Sequence, residues 1–231
     1  SGAAGIEDAI ALGLSDELRA GVESIWEAVV THTLVTEMAD GFLDLERFYV
    51  YFNQDYPFLR DWAIPLSLAT AKAPDFDAAP ELVRFLDLGL GGEEGLFQEA
   101  FRERGISRKA VTGLQYLPTT QNYSGYLRTL AYDGTFTEVV ATLLAVEWPY
   151  LDWAQRAEEA GPKPSDRYYQ TWIDTHTSPG MSRFVSWLRS LVDESAPTAI
   201  QQDRFQGIFR DVLRYEYQFF EMAYRGESWP Q

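Results

Sequence analysis

The sequence predicts an all-helical, single-domain protein, and three observations carry that prediction. Apolar residues recur at helical spacing along nearly the whole chain. Alternation of period two is nowhere sustained, and no repeat or low-complexity linker divides the 231 residues. With 46% hydrophobic and 15% aromatic residues, the chain carries enough apolar mass to bury one large core.

The elements follow in order. Ser15-Asp16-Glu17 reads as a cap and acidic first turn, opening a helix that carries Leu18, Val22, Ile25, Trp26 and Val29. Asp44 caps a long helix with the apolar face Leu45, Phe48, Phe52, Leu59 and Trp62, and Pro65 is expected to kink or end it. Ala78 to Arg104 is helical again, interrupted by the run Gly89-Leu90-Gly91-Gly92, which matches no phosphate-binding loop. Pro118-Thr119 starts a helix through Tyr132, and Asp133-Gly134 is a turn. Thr135 opens a helix carrying Phe136, Val140, Leu143, Tyr150 and Ala154 and ending near Gly161-Pro162. A short helix follows from Ser165, and another runs from Ser178-Pro179 to just before Pro197. Thr198 caps the last, with Phe205, Phe209, Val212, Phe219 and Ala223 on one face. Residues 1–14 are expected to form a flexible N-terminal segment, leaving 15–231 as the domain.

Charge and composition narrow the function. A formal charge of −16, from 19 basic and 35 acidic residues, opposes a nucleic-acid partner, which would call for a basic stripe. It equally opposes an anionic membrane surface. The absence of cysteine excludes disulfides, thiolate metal sites and thiol catalysis. The first 14 residues lack a basic stretch before an apolar one, and no apolar run reaches membrane-spanning length. The expectation is a soluble, cytoplasmic protein.

Three carboxylates interrupt otherwise apolar stripes. Asp55 falls between Phe52 and Leu59, Glu147 between Leu143 and Tyr150, and Glu216 between Val212 and Phe219. At about 100° per residue, each lies on the core side of its helix. Taken singly, such an acid is a rim residue or half of an ion pair. Three on separate helices also fit a shared cavity, where burial and mutual repulsion would keep one protonated and another ionised, as general acid/base hydrolysis needs. Tyrosines flank the same stretches, as ordinary core packing or as a cage for a flat polar ring. Metal and nucleophile alternatives find no support: His32 and His176 belong to no HExxH or ExxH set. His32 reads as a core histidine on an apolar helix, and no Gly-x-Ser-x-Gly elbow occurs.

In order and spacing, five motifs resemble the TenA/thiaminase II (TENA/THI-4) family over roughly Leu18 to Arg225. They are Phe48-x-x-Tyr51-x-x-Gln54-Asp55; Pro118-Thr119-x-x-x-Tyr123-x-x-Tyr126-Leu127; Trp148-x-Tyr150; Tyr169-x-x-Trp172-Ile173; and Tyr215-Glu216-x-x-Phe219-Phe220-x-Met222-Ala223. The resemblance implies a heme oxygenase-like helical bundle, commonly a homotetramer, with no cofactor or metal. It implies that Asp55 anchors a pyrimidine, that Tyr123, Tyr150 and Tyr169 contact the ring, that Phe219 packs on it, and that Glu216 is the catalytic acid. Two departures stand out. A tyrosine expected three residues after the aspartate is Phe58, and the nucleophilic cysteine of the thiaminase branch is Val146. Valine cannot form a covalent pyrimidine intermediate. The chain is therefore similar to the cysteine-lacking branch that relies on an active-site glutamate, with Glu147 beside the gap. That branch implies hydrolysis of aminomethyl- or formylaminomethyl-pyrimidines, breakdown products of thiamin, to hydroxymethylpyrimidine. Glu216 would protonate the leaving nitrogen and Glu147 would orient or activate water. The alternatives are a thiaminase acting on thiamin by direct water attack, a non-catalytic pyrimidine-binding regulator, and an oxygenase on the same bundle.

Overall fold

The computed structural model describes residues 12–161 and 166–230, and among them there are helices and turns but no strand. The helices are α1 (Leu14–Ala20), α2 (Glu23–Val30), α3 (Thr33–Ala39), α4 (Leu45–Lys72), α5 (Ala79–Leu88) and α6 (Glu94–Glu103). They continue as α7 (Arg108–Thr112), α8 (Pro118–Asp133), α9 (Phe136–Glu159), α10 (Arg167–His176), α11 (Pro179–Asp193) and α12 (Ala199–Arg225).

The centre of the bundle is α9. Every residue from Val139 to Leu151 is buried, as expected for a helix with no polar face to give to solvent. α2, α4, α8, α10, α11 and α12 pack around it. Its start is set by a capping box: the Thr135 hydroxyl accepts from Glu138 N, and the Glu138 carboxylate accepts from Thr135 N. Trp26 on α2 donates its indole N–H to Asp152 on α9 at 2.6 Å. Arg156 grips Glu27 with two nitrogens at 2.7 and 2.8 Å, the forked geometry that holds a carboxylate best. On α4, the buried Gln54 pins the turn ahead of α8, donating to the Gln115 carbonyl and accepting from Leu117 N.

Several boundaries differ from those expected. The first predicted helix is two, broken at Gly21-Val22, and its cap is Gly13, with Ser15 inside α1 giving its backbone N–H to Asp193. Residues 1–11 of the predicted flexible segment lie outside the described residues, and Leu14 already belongs to α1. Pro65 does not end its helix: α4 runs 28 residues through both Pro57 and Pro65. An internal proline costs about 3 kcal/mol or more. α4 buries Phe48, Tyr51, Phe52, Phe58, Leu59, Trp62 and Leu66, each worth roughly 1.5–3 kcal/mol, so packing wins. The glycine run interrupts the α-helix as expected, but by one π-helical turn, Gly89–Glu93, that joins α5 to α6. His32 lies on no apolar helix but caps α3, its Nδ1 accepting from Leu34 N. The start predicted at Ser165 lies outside the described residues; Asp166 caps α10.

Candidate active site

Four helices wall one cavity. α4 supplies Asp55, Phe58, Leu59 and Trp62; α9 supplies Val146, Glu147 and Tyr150; α10 supplies Trp172 and His176; α12 supplies Glu216. The α4 set is the i, i+3, i+4, i+7 stripe of a single helix face, which is why an acid and a tryptophan two turns apart look into the same space. The cavity offers about 50 Å³ to the centres of water-sized molecules. A single water needs roughly 10–15 Å³ on that measure, so there is room for several waters or a small ring. A wider groove of about 920 Å³ lies alongside, open to solvent and sharing Leu59 with the cavity. Its buried acid, Asp61, is already bonded to the Tyr116 and Ser124 hydroxyls, so the convergent chemistry is in the smaller space.

The three acids come together without a cation. Glu216 is 2% exposed and accepts a hydrogen bond from the Tyr123 hydroxyl. Burial pushes its carboxyl up to about 8; the Tyr123 hydrogen bond opposes this, while Asp55 and Glu147 add to it. Glu147 is 6% exposed and accepts from the Trp62 indole N–H at 2.6 Å. Burial raises it to about 7 against that bond. Asp55 has no hydrogen-bond partner among the described residues; burial and the neighbouring Glu147 charge raise it to about 7. Removing a carboxylate from water is costly unless it is paired, so a cavity of this kind favours a shared pool of protons.

Of the ring contacts expected from sequence, only Tyr150 reaches the wall, its hydroxyl 3.0 Å from that of Tyr51. Tyr123 stands behind Glu216, with its ring stacked on Tyr215 at 5.3 Å. Phe219 packs behind Phe58 and Tyr51. Tyr169 does not line the cavity: its hydroxyl donates to the Leu43 carbonyl at 2.8 Å and its ring packs on Phe48. It lies three residues before Trp172 and seven before His176, the two residues of α10 that meet the cavity, so roughly 5 and 10 Å back along the helix axis.

Sequence reasoning passed over three wall residues. Trp62 read as apolar surface, Trp172 as part of a motif, and His176 as an unclustered histidine. The His176 ring gives its Nδ1–H to the Trp172 carbonyl at 2.8 Å, which leaves Nε2 as a bare acceptor. Burial lowers its pKa to about 4 against that hydrogen bond, so the ring is neutral. The only available signal was its i+4 spacing from Trp172. Among the described residues, no three histidine, aspartate or glutamate side chains form a group able to hold a metal ion, and no helix is long and apolar enough to cross a membrane.

Comparison with known proteins places this geometry. The model of the TENA/THI-4/PQQC family matches residues 19–226. The chain is 26% identical over 209 residues to the aminopyrimidine aminohydrolase of Halalkalibacterium halodurans, covering 90% of this chain and 93% of that one. It superposes on the TenA homologue of P. horikoshii OT3 with a TM-score of 0.84 at 24% identity, over 93% of this chain and 100% of that chain. A domain of unknown function with a heme oxygenase-like fold from Shewanella denitrificans OS217 matches with a TM-score of 0.66 at 15% identity, over 91% of each chain. The bundle thus has that fold.

Proposed function

The chain belongs to the TENA/THI-4/PQQC family, and from that premise we propose that it hydrolyses the exocyclic C–N bond of aminomethyl- or formylaminomethyl-pyrimidines derived from thiamin. The observation that carries this reading is the convergence of Asp55, Glu147 and Glu216, with no cation against them among the described residues, on the wall of one cavity with room for a small ring. In this reading Asp55 binds the amidine edge of the pyrimidine, and Tyr150 and the neutral His176 hold its polar periphery. Tyr123 and Phe219 support the site from behind. Glu216, the acid that burial keeps protonated at neutral pH, gives its proton to the leaving nitrogen. Glu147, ionised, directs a water and takes its proton as the water oxygen bonds to the exocyclic carbon and the C–N bond breaks. The products are the hydroxymethylpyrimidine and ammonia, or formamide from the formylated substrate. No cofactor enters.

Val146 on the cavity wall offers no nucleophilic atom, which favours salvage of breakdown products over cleavage of thiamin. Incubation with thiamin and the two pyrimidines, read by mass spectrometry, tests the proposal. Hydroxymethylpyrimidine formed from either breakdown product is the expected result. Turnover of thiamin alone, or tight pyrimidine binding without turnover, overturns it. Cytoplasmic localisation and a homotetramer complete the proposal; light scattering on an eluting column peak reads the assembly directly.

A further inference from the structure

The glycine run 89–92 matches no ligand-binding loop, yet it has a specific neighbour. Gly89 opens the π-helical turn between α5 and α6, and a Cβ at this position would run into Cη2 and Cζ3 of the Trp62 ring. Its backbone is ordinary right-handed helix (φ −67°, ψ −51°), a conformation any residue adopts. Space, not backbone conformation, therefore demands glycine there, against a helix penalty of about 1 kcal/mol. Gly91 and Gly92 differ: a Cβ on either meets nothing within 4 Å. π turns inside α-helices occur frequently at functional sites. Here the turn backs onto a ring whose other edge donates to Glu147.

We propose that Gly89 is the back-stop of the Trp62 indole, and that the two act as positioning residues, aiming the Glu147 carboxylate into the cavity. This rests on the water-directing role proposed for Glu147. The Trp62 N–H is the one hydrogen bond to Glu147 among the described residues and engages Oε1 alone. With that oxygen pinned, Oε2 is left for a water. None of the titratable groups facing the same cavity donates to Glu147. Asp55 on α4 and Glu216 on α12 are acids, Val146 and Tyr150 share α9 with Glu147, and His176 on α10 gives its only N–H to Trp172. Tyr123 on α8 is committed to Glu216.

The test uses Trp62→Phe, Gly89→Ala and the control Gly91→Ala in the full chain. Trp62→Phe keeps a ring but removes the donor. The expected result is a tenfold to hundredfold lower kcat with KM within about threefold, and an acid limb of the pH–rate profile moved upward by roughly one to two pH units. Gly89→Ala should reproduce part of this with Trp62 present and add little in the Trp62→Phe background, where the smaller ring leaves room. Gly91→Ala should be silent. Carboxyl titration by infrared difference, with Glu147→Gln identifying the band, reads the same shift without substrate, so the inference is tested even if the wild-type protein turns over no pyrimidine. An unmoved Glu147 titration in Trp62→Phe, or a Gly89→Ala enzyme indistinguishable from Gly91→Ala, overturns the proposal.

Discussion

Burial is the main force raising all three of Asp55, Glu147 and Glu216, with the Glu147 charge adding at Asp55 and the Asp55 and Glu147 charges adding at Glu216, and no arginine or lysine among the described residues offsets it. The proposed mechanism needs Glu216 protonated and a partner ionised. With Glu216 at about 8 and Asp55 and Glu147 at about 7, the rate should rise through pH 7 and fall above pH 8, giving a narrow bell in kcat. Glu216→Gln keeps size and hydrogen bonding but has no proton to transfer. Its kcat should drop roughly 10²–10⁴-fold with KM little changed, and the alkaline limb should disappear. A Glu216→Gln enzyme impaired only in KM would make Glu216 a binding residue. Asp55→Asn should raise KM instead, since a charged acceptor becomes an amide at the ring edge; steady-state kinetics on both variants separates the two roles.

Among the elements, α9 carries the cavity's Val146, Glu147 and Tyr150 and is buried along most of its length. Its N-terminal capping box lies three turns away from Glu147. Thr135→Ala should therefore cost about 1 kcal/mol of stability in a urea titration and leave kcat unchanged; a large kcat defect would mean that the cap reaches the site. α4 shows how far element boundaries could be read from sequence. Its Asp44 cap was legible, since a side-chain oxygen two residues ahead of the first free N–H groups is local chemistry. Its continuation through Pro65 was not, because the burial of Phe58, Trp62 and Leu66 depends on helices distant in sequence.

For the molecule as a whole, the three acids tie stability to pH. Each has a folded pKa raised above its unfolded value, so its favourable contribution is full below about pH 4 and is lost as pH rises through 7 to 8. For Glu147, a rise from the ordinary 4.5 to about 7 corresponds to roughly 3 kcal/mol. Calorimetry should show Tm falling between about pH 4 and 8, and a variant with Asp55→Asn, Glu147→Gln and Glu216→Gln together should flatten that slope. The formal net charge of −16, most of it on the surface, acts in the same direction through self-repulsion; roughly 0.5 M salt should relieve that part and not the buried one.

The sequence by itself determined the all-helical class, most helix starts, and the three acids, because periodicity and caps are local and an acid within an apolar stripe stands out. It also carried the family, since five spaced motifs survive without any knowledge of contacts. Only the tertiary structure decided which aromatics meet the cavity. Trp62 and His176 line it while Tyr169 turns its hydroxyl to Leu43; spacing reports the face of a helix, but not where along its axis a neighbour ends. The same holds for Gly89, whose need to be glycine lies in a ring 27 positions earlier in the chain. A close approach between two helices is a property of their packing, and no pattern within either strand of sequence contains it.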